Sequence, residues 1–271
     1  MSTDTIETSI GTVPVLHRLA QGLVLRDIVT DHIVGGTPRV GWEADGHLRP
    51  PGAREEWPCV DFEPVGTGRF RLRATPRLPQ KLVVRIEDAS RRHVARRIEI
   101  TPWSYPQLRD PDPAHAVAVA ARTLRVWLHP GAAYPLPPGA TVVRGRIVRP
   151  SGTPVPWARV TAIGGTGAAL GLAHGDDRGE FVLRLTDVAQ NPVQSTVTVR
   201  LLVRAPSSTS ELPPVESITR PGNPPGPGDL DNAVVRGLAP PAGHVLSVPP
   251  PPLYIVDVGR VRVVGDIPFI P

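Results

Sequence analysis

The chain has 271 residues, including 35 Pro and 26 Gly, and its length suggests two domains rather than one. Pro removes a backbone donor and clashes with the preceding helical turn, so long helices are not expected. Hydrophobic residues make up 40 % of the chain, enough for a sizeable core. The composition therefore favours short strands joined by turns.

The formal net charge is +5, and all the basic residues except Lys81 are Arg. They are scattered along the chain rather than clustered with aromatic residues, so nucleic-acid binding is not expected. The single cysteine, Cys59, excludes an intrachain disulfide. No apolar run reaches the roughly 18 residues of a spanning helix, and the acidic start does not resemble a signal peptide. We therefore expect a cytoplasmic protein with no direct membrane insertion.

Residues 140–205 show the clearest pattern in the sequence. Apolar residues alternate with polar ones in several short runs, and turn residues such as those at 149–152 and 176–179 separate the runs. Strict period-two alternation between turns is typical of a half-buried antiparallel sheet. The pattern predicts a small β-sandwich, with Phe181 as a core anchor.

The first half resembles a weaker copy of this pattern. Residues 27–29 match 146–148, residues 36–38 match 152–154, and residues 68–75 match 179–186. The copy predicts an N-terminal β-sandwich over 21–102, with Phe70 equivalent to Phe181. A chance similarity between two generic β patterns is the alternative.

The remaining segments are less regular. The fold class predicted is all-β, with two tandem small β-sandwiches, a Pro-rich connection and an extended C-terminal arm. The segments outside the sandwiches are an N-terminal extension at 1–20, an irregular connection at 103–139, a Pro/Gly-rich arm at 206–252 and a C-terminal strand at 253–271. This last strand either packs on its own sandwich or pairs with an adjacent subunit, and both interpretations stay open.

Motifs for catalysis are absent from the sequence. It contains no G-x-x-x-x-G-K-[ST], G-x-S-x-G or H-E-x-x-H. The eight histidines never fall at i, i+2 or i, i+4 spacing, and Cys59 is expected to be a buried small hydrophobe. We expect a protein that is not an enzyme and has no catalytic residues, no cofactor and no metal.

Four motifs in the second half, at 143–148, 152–155, 158–160 and 176–181, resemble the carboxypeptidase regulatory-like domain, a transthyretin-like β-sandwich. The resemblance covers residues 139–205 and implies the fold, but it says nothing about activity. The C-terminal tetrapeptide of the hydroxyisourate hydrolases and the iron ligands of the intradiol dioxygenases have no counterpart in this sequence.

The overall layout resembles accessory proteins encoded beside phage-tail-like contractile injection systems. This resemblance implies a structural subunit, either a cap adaptor or a baseplate-associated protein, that forms a homo-oligomeric ring with tube, sheath or baseplate proteins as partners. The alternative is a free-standing binding module for a polysaccharide or a cell-surface partner. The expected partner-binding residues are the apolar ones of the terminal strand: Leu253, Tyr254, Ile255, Val256, Val258, Val261 and Val263.

Overall fold

The computed structural model describes residues 19–36, 38–44, 57, 59–109, 112, 117–186, 195–208, 210–218, 233–249 and 251–271, and the backbone of 6–10 and 13–17. About 49 % of the chain is strand and 4 % is helix, which confirms the all-β class. Turn residues divide the sequence into short strands, as the composition predicts.

Among its described residues, the first half contains ten strands, one short helix and one 3-10 turn. They are β1 (Ile6–Ile10), β2 (Val13–His17), β3 (Leu19–Asp27), β4 (Arg39–Glu43), β5 (Cys59–Asp61), β6 (Glu63–Gly66), β7 (Arg69–Arg73), β8 (Leu82–Glu87), β9 (Arg96–Ile100), α1 (Tyr105–Arg109), the 3-10 turn Val119–Arg122 and β10 (Thr123–Leu128).

In the second half, the part of the chain that the structure describes contains nine strands. They are β11 (Val142–Val148), β12 (Arg159–Gly164), β13 (Ala169–His174), β14 (Glu180–Arg184), β15 (Thr196–Pro206), β16 (Val215–Ser217), β17 (His244–Leu246), β18 (Leu253–Asp257) and β19 (Val261–Pro268).

Two sandwiches follow one another along the chain, and each packs two sheets over its own apolar core. The first has sheets in the order β10-β3-β7-β6 and β16-β9-β8-β4-β5. The second has sheets β14-β11-β19 and β13-β12-β15, with β17 and β18 both paired to the far edge of β15. In the first sandwich, β3 lies between the antiparallel strand β7 and the parallel strand β10. In the second, β11 lies between the antiparallel strand β14 and the parallel strand β19.

Backbone hydrogen bonds give the register of the repeat. Leu25 N donates to Gly68 O at 2.8 Å, and Ile147 N donates to Gly179 O at 2.9 Å. Leu25 therefore corresponds to Ile147, so the match of 27–29 with 146–148 is wrong by three residues. The match of 36–38 with 152–154 is also wrong, because Asp31, at φ 55°, occupies the turn position of Gly152, at φ 84°.

The two core anchors are confirmed. Phe70 and Phe181 are both buried, and each lies two residues after a glycine with positive φ. A Cβ at Gly68 would lie 2.7 Å from the carbonyl oxygen of Val34, and one at Gly179 would lie 2.5 Å from that of Ile147. Both positions therefore require glycine for close approach as well as for conformation.

The sandwiches extend beyond the limits expected from the sequence. β10 lies within the expected connection at 103–139, yet it pairs in parallel with β3 and completes the first sandwich. β18 and β19 complete the second sandwich by pairing with β15 and β11. The terminal strand thus packs on its own sandwich, so the boundaries at 102 and 205 leave out the last strands of each unit.

The terminal strands predict a stability difference between neighbouring residues. Phe269 is fully buried in the second core, whereas Ile270 is 42 % exposed. Phe269→Ala should lower the free energy of unfolding by about 3–5 kcal/mol, and Ile270→Ala should change it by less than about 0.5 kcal/mol. Denaturant unfolding of both variants measures this, and equal effects would contradict the placement of residue 269 in the core.

Candidate partner-binding edge

The insertion between β15 and β18 crosses the first sandwich through β16 and returns to the second sandwich through β17. Its described residues 210–218 and 233–247 are called the strap below. β16, within the strap, pairs in parallel with β9, with Val215 opposite Arg97 and Ser217 opposite Glu99. The strap also contacts β10, where Trp127 N donates to Val235 O at 3.3 Å. The strap thus covers the β9 edge of the first sandwich.

Glu216 holds the strap in place from the interior. Its carboxylate accepts two hydrogen bonds from Arg96, at 3.0 and 2.7 Å, and one from Arg159 at 3.3 Å. Arg96 belongs to the first sandwich and Arg159 to the second, so one carboxylate ties both to the strap. Burial lowers the pKa of Arg159 to about 10, but the group stays charged at neutral pH. A buried charge is tolerated only when it is paired in this way.

Two stacked histidines support the next part of the strap. The rings of His129 and His174 lie 3.6 Å apart, centroid to centroid. The Nε2 atom of His129 is 3.0 Å from Arg236 O, and that of His174 is 2.8 Å from Gly237 O. Burial lowers the pKa of His129 to about 3 and that of His174 well below its usual value. Both rings are therefore neutral in the folded state, and each Nε2 donates to the strap.

The corresponding edge of the second sandwich is open. β18 pairs with β15 on one side and with no described strand on the other. Its outward-facing residues Leu253 and Ile255 are 59 % and 64 % exposed.

The outward residues of β9 are charged instead. Arg97 Nε donates to Glu43 at 2.6 Å, and Lys81 Nζ donates to Glu99 at 3.1 Å. Charged side chains are a common means of blunting a sheet edge. The covered edge thus carries ion pairs, whereas the open edge carries the aliphatic side chains of Leu253 and Ile255, with Asp257 at its end.

β19 is a second open edge, but it is interrupted. Val261 and Val263 are 48 % and 68 % exposed. The pairing with β11 shifts at a bulge after Val263, and Gly265 follows with φ 71°. Bulges increase local twist and hinder the addition of a further strand. β18, whose pairing with β15 has no such shift, is the better template.

The seven expected partner-binding residues divide into two groups. Tyr254, Val256 and Val258 pack against the core of their own sandwich, and burial raises the pKa of Tyr254. The other four are exposed. Leu253 and Ile255 lie on the open edge of β18, whereas Val261 and Val263 lie on the interrupted edge of β19. Sequence reasoning missed other exposed aliphatic residues near the C-terminus because they alternate with Pro and Ser in short runs: Val245, Leu246, Val248 and Ile270.

The cleft between the sandwiches and the single cysteine show no catalytic arrangement among the described residues. A cleft of about 370 Å³ lies where the sandwiches meet, and in it Arg91 pairs with Asp176 and His93 with Asp88. Burial raises the pKa of the Cys59 thiol to about 12, which opposes a nucleophilic role. Over the described ranges, no group of three or more His, Cys, Asp or Glu could hold a metal ion. Nor is any helix there long and apolar enough to cross a membrane.

Comparison with known proteins gives no family. No protein-family model and no curated protein matches the chain. The Bacillus anthracis TIE protein aligns at 11 % identity and TM-score 0.23, over 93 % of this chain and 34 % of that one, so this chain spans about a third of its length. The shaft pilin spaA from Lactobacillus rhamnosus GG aligns at 10 % identity and TM-score 0.23, over 93 % and 99 % of the two chains. A streptococcal ancillary pilin aligns at 9 % identity and TM-score 0.19, over 73 % and 67 %.

The neutral histidines predict a loss of stability in acid. The unfolded chain takes up protons as the pH falls below 6.5, whereas folded His129 stays neutral until about pH 3. The free energy of unfolding should therefore fall between pH 6.5 and 5, by up to about 1.4 kcal/mol per pH unit for each such histidine.

Unfolding of His129→Gln, which keeps a side-chain donor, measures this contribution. Its stability should depend less steeply on pH than that of the native chain, while His32→Gln, at an exposed position, should show the native slope. A native slope in His129→Gln would contradict the account.

Proposed function

We propose that this protein is a non-enzymatic structural subunit of a larger assembly, which it joins by strand addition at β18. The open aliphatic edge of β18 carries the proposal. In strand addition the backbone of the edge provides affinity, and the alternating side chains provide specificity. Leu253 and Ile255 are the side chains that a partner on this edge would contact.

The contrast between the two sandwiches supports a role for the open edge. An exposed, unblunted strand is a liability, because it offers its unpaired amide and carbonyl groups to any other chain. The same protein covers the β9 edge with the strap and surrounds it with ion pairs. The absence of such protection on β18, among the described residues, favours an edge kept open for a partner.

The particular assembly we propose is a phage-tail-like contractile injection particle, with the protein at the cap or the baseplate. The support is the layout of two sandwiches and Pro-rich segments described above. Binding of a polysaccharide is less well supported, because sugar sites need polar groups and flat aromatic faces. The large exposed hydrophobic residues of the described ranges are all aliphatic.

Charge on the β18 edge tests the function. The double substitution Leu253→Lys and Ile255→Lys places like charges on solvent-exposed positions, so the fold should persist with an unchanged unfolding midpoint. Particles isolated from cells that make the protein should lose the double variant, because lysine side chains on an edge strand disfavour the addition of a further strand. Protein quantification by mass spectrometry measures this loss.

The matched control is Val65→Lys, at a position that is 51 % exposed on the first sandwich. This control should enter the particles at the level of the native chain. Incorporation of the double variant at the native level would contradict strand addition at β18, and absence of the native protein from any particle would contradict the structural role.

A further inference from the structure

A free hairpin lies at the opposite end of the chain from the open edge. β1 and β2 pair antiparallel from Ile6 opposite His17 to Ile10 opposite Val13, and they hydrogen-bond to no other described strand. A two-stranded hairpin alone is at best marginally stable in water. A third strand added to one edge of the hairpin would stabilise it.

The outer edge of β1 is the available side of this hairpin. β1 already pairs with β2 on one side. β2 contains Pro14, which lacks an N–H and is disfavoured wherever a ladder has to form on both sides of a strand. β1 contains no Pro, and it has five residues, the same number as β18.

The position of the hairpin separates it from the second sandwich of its own chain. One residue joins β2 to β3, so the hairpin continues from the Leu19 end of β3. The other end of β3 faces the second sandwich, where Arg184 Nη1 donates to Val29 O at 3.0 Å. The nine residues of β3 span about 27 Å, whereas each hairpin strand reaches only about 17 Å.

The open edge also faces away from the first sandwich. In the sheet β14-β11-β19, β14 lies on the near side, because Arg184 contacts Val29 and Glu180 lies near Arg91. β19 is at the opposite edge of that sheet, and a tight turn joins it to β18. The hairpin and the open edge are therefore at opposite ends of the molecule.

We infer that β1 of one copy adds to the β18 edge of a second copy, head to tail; this inference rests on the proposed function and names the partner. β16 on β9 is the precedent within the molecule, since it shows a short strand closing the equivalent edge of the first sandwich. Each contact leaves one hairpin and one edge free. Repetition of such a contact gives a ring if the rotation closes and a filament if it does not.

Disulfide trapping between two differently substituted copies tests the contact. One chain carries Thr8→Cys, and the other carries Leu253→Cys, Ile255→Cys or Asp257→Cys, so that Thr8 is tested against each of the three exposed positions of β18. The native Cys59 is buried and serves in both chains as an unreactive background. At least one mixture should yield a cross-linked dimer about tenfold above the mixture of Thr8→Cys with Val65→Cys. No excess over this control in any of the three mixtures would overturn the inference.

The trapping result and the particle experiment separate the two proposals. If the Leu253→Lys and Ile255→Lys variant is lost from particles but no cross-link forms, β18 binds another protein and only the head-to-tail contact is wrong. If the cross-link forms but the charged variant still enters particles, the contact between copies stands and the proposed role of β18 in the particle is wrong.

Discussion

The buried carboxylate of Glu216 is the interaction on which the arrangement of the molecule depends. It pairs with Arg96 from one sandwich and Arg159 from the other, in a site closed to solvent. Removing one partner from such a group leaves a charge uncompensated and typically costs 3–5 kcal/mol. The ion pairs therefore specify the position of the strap, and through it the edge that the strap covers.

The strap makes two similar sandwiches different in function. The first sandwich is completed by β9 and β10, and the second by β18 and β19. In each sandwich the earlier strand of this pair, β9 or β18, has one edge that pairs with no other strand of the same sandwich. The strap closes the β9 edge of the first sandwich. It is an insertion between β15 and β18 of the second sandwich, and it leaves the β18 edge open. This insertion thus accounts for the difference between β9, whose edge it covers, and β18, whose edge pairs with no further strand among the described residues.

Local sequence patterns predict the strands and core anchors of this fold but not their pairing partners. The alternation around Phe181 and the turn glycines at 68 and 179 are local signals, and the structure confirms them. The pairing of β11 with β19 joins residues more than a hundred positions apart, separated by the Pro-rich insertion. The internal repeat nevertheless indicates this pairing. The first sandwich is completed by β9 and β10, so the second sandwich requires two corresponding strands after β15, which are β18 and β19.

The candidate site shows the same division between local and distant information. The apolar character of residues 253–264 indicated a sticky strand, but burial decides which of its side chains are available. Val256 faces the core and Ile255 faces solvent, a difference set by the register with β15. The charged surroundings of β9 are equally non-local, since Arg97 meets Glu43 from another strand.

Backbone amide hydrogen exchange, followed by mass spectrometry at several protein concentrations, distinguishes the covered edge of β9 from the open edge of β18. The amides of β9 should be protected at every concentration, because β16 of the same chain pairs with them. Amides on the free edge of β18 should exchange quickly in dilute protein and slowly in concentrated protein, where a second copy supplies a strand. Protection of β18 that does not change with concentration would contradict addition of a second copy at this edge.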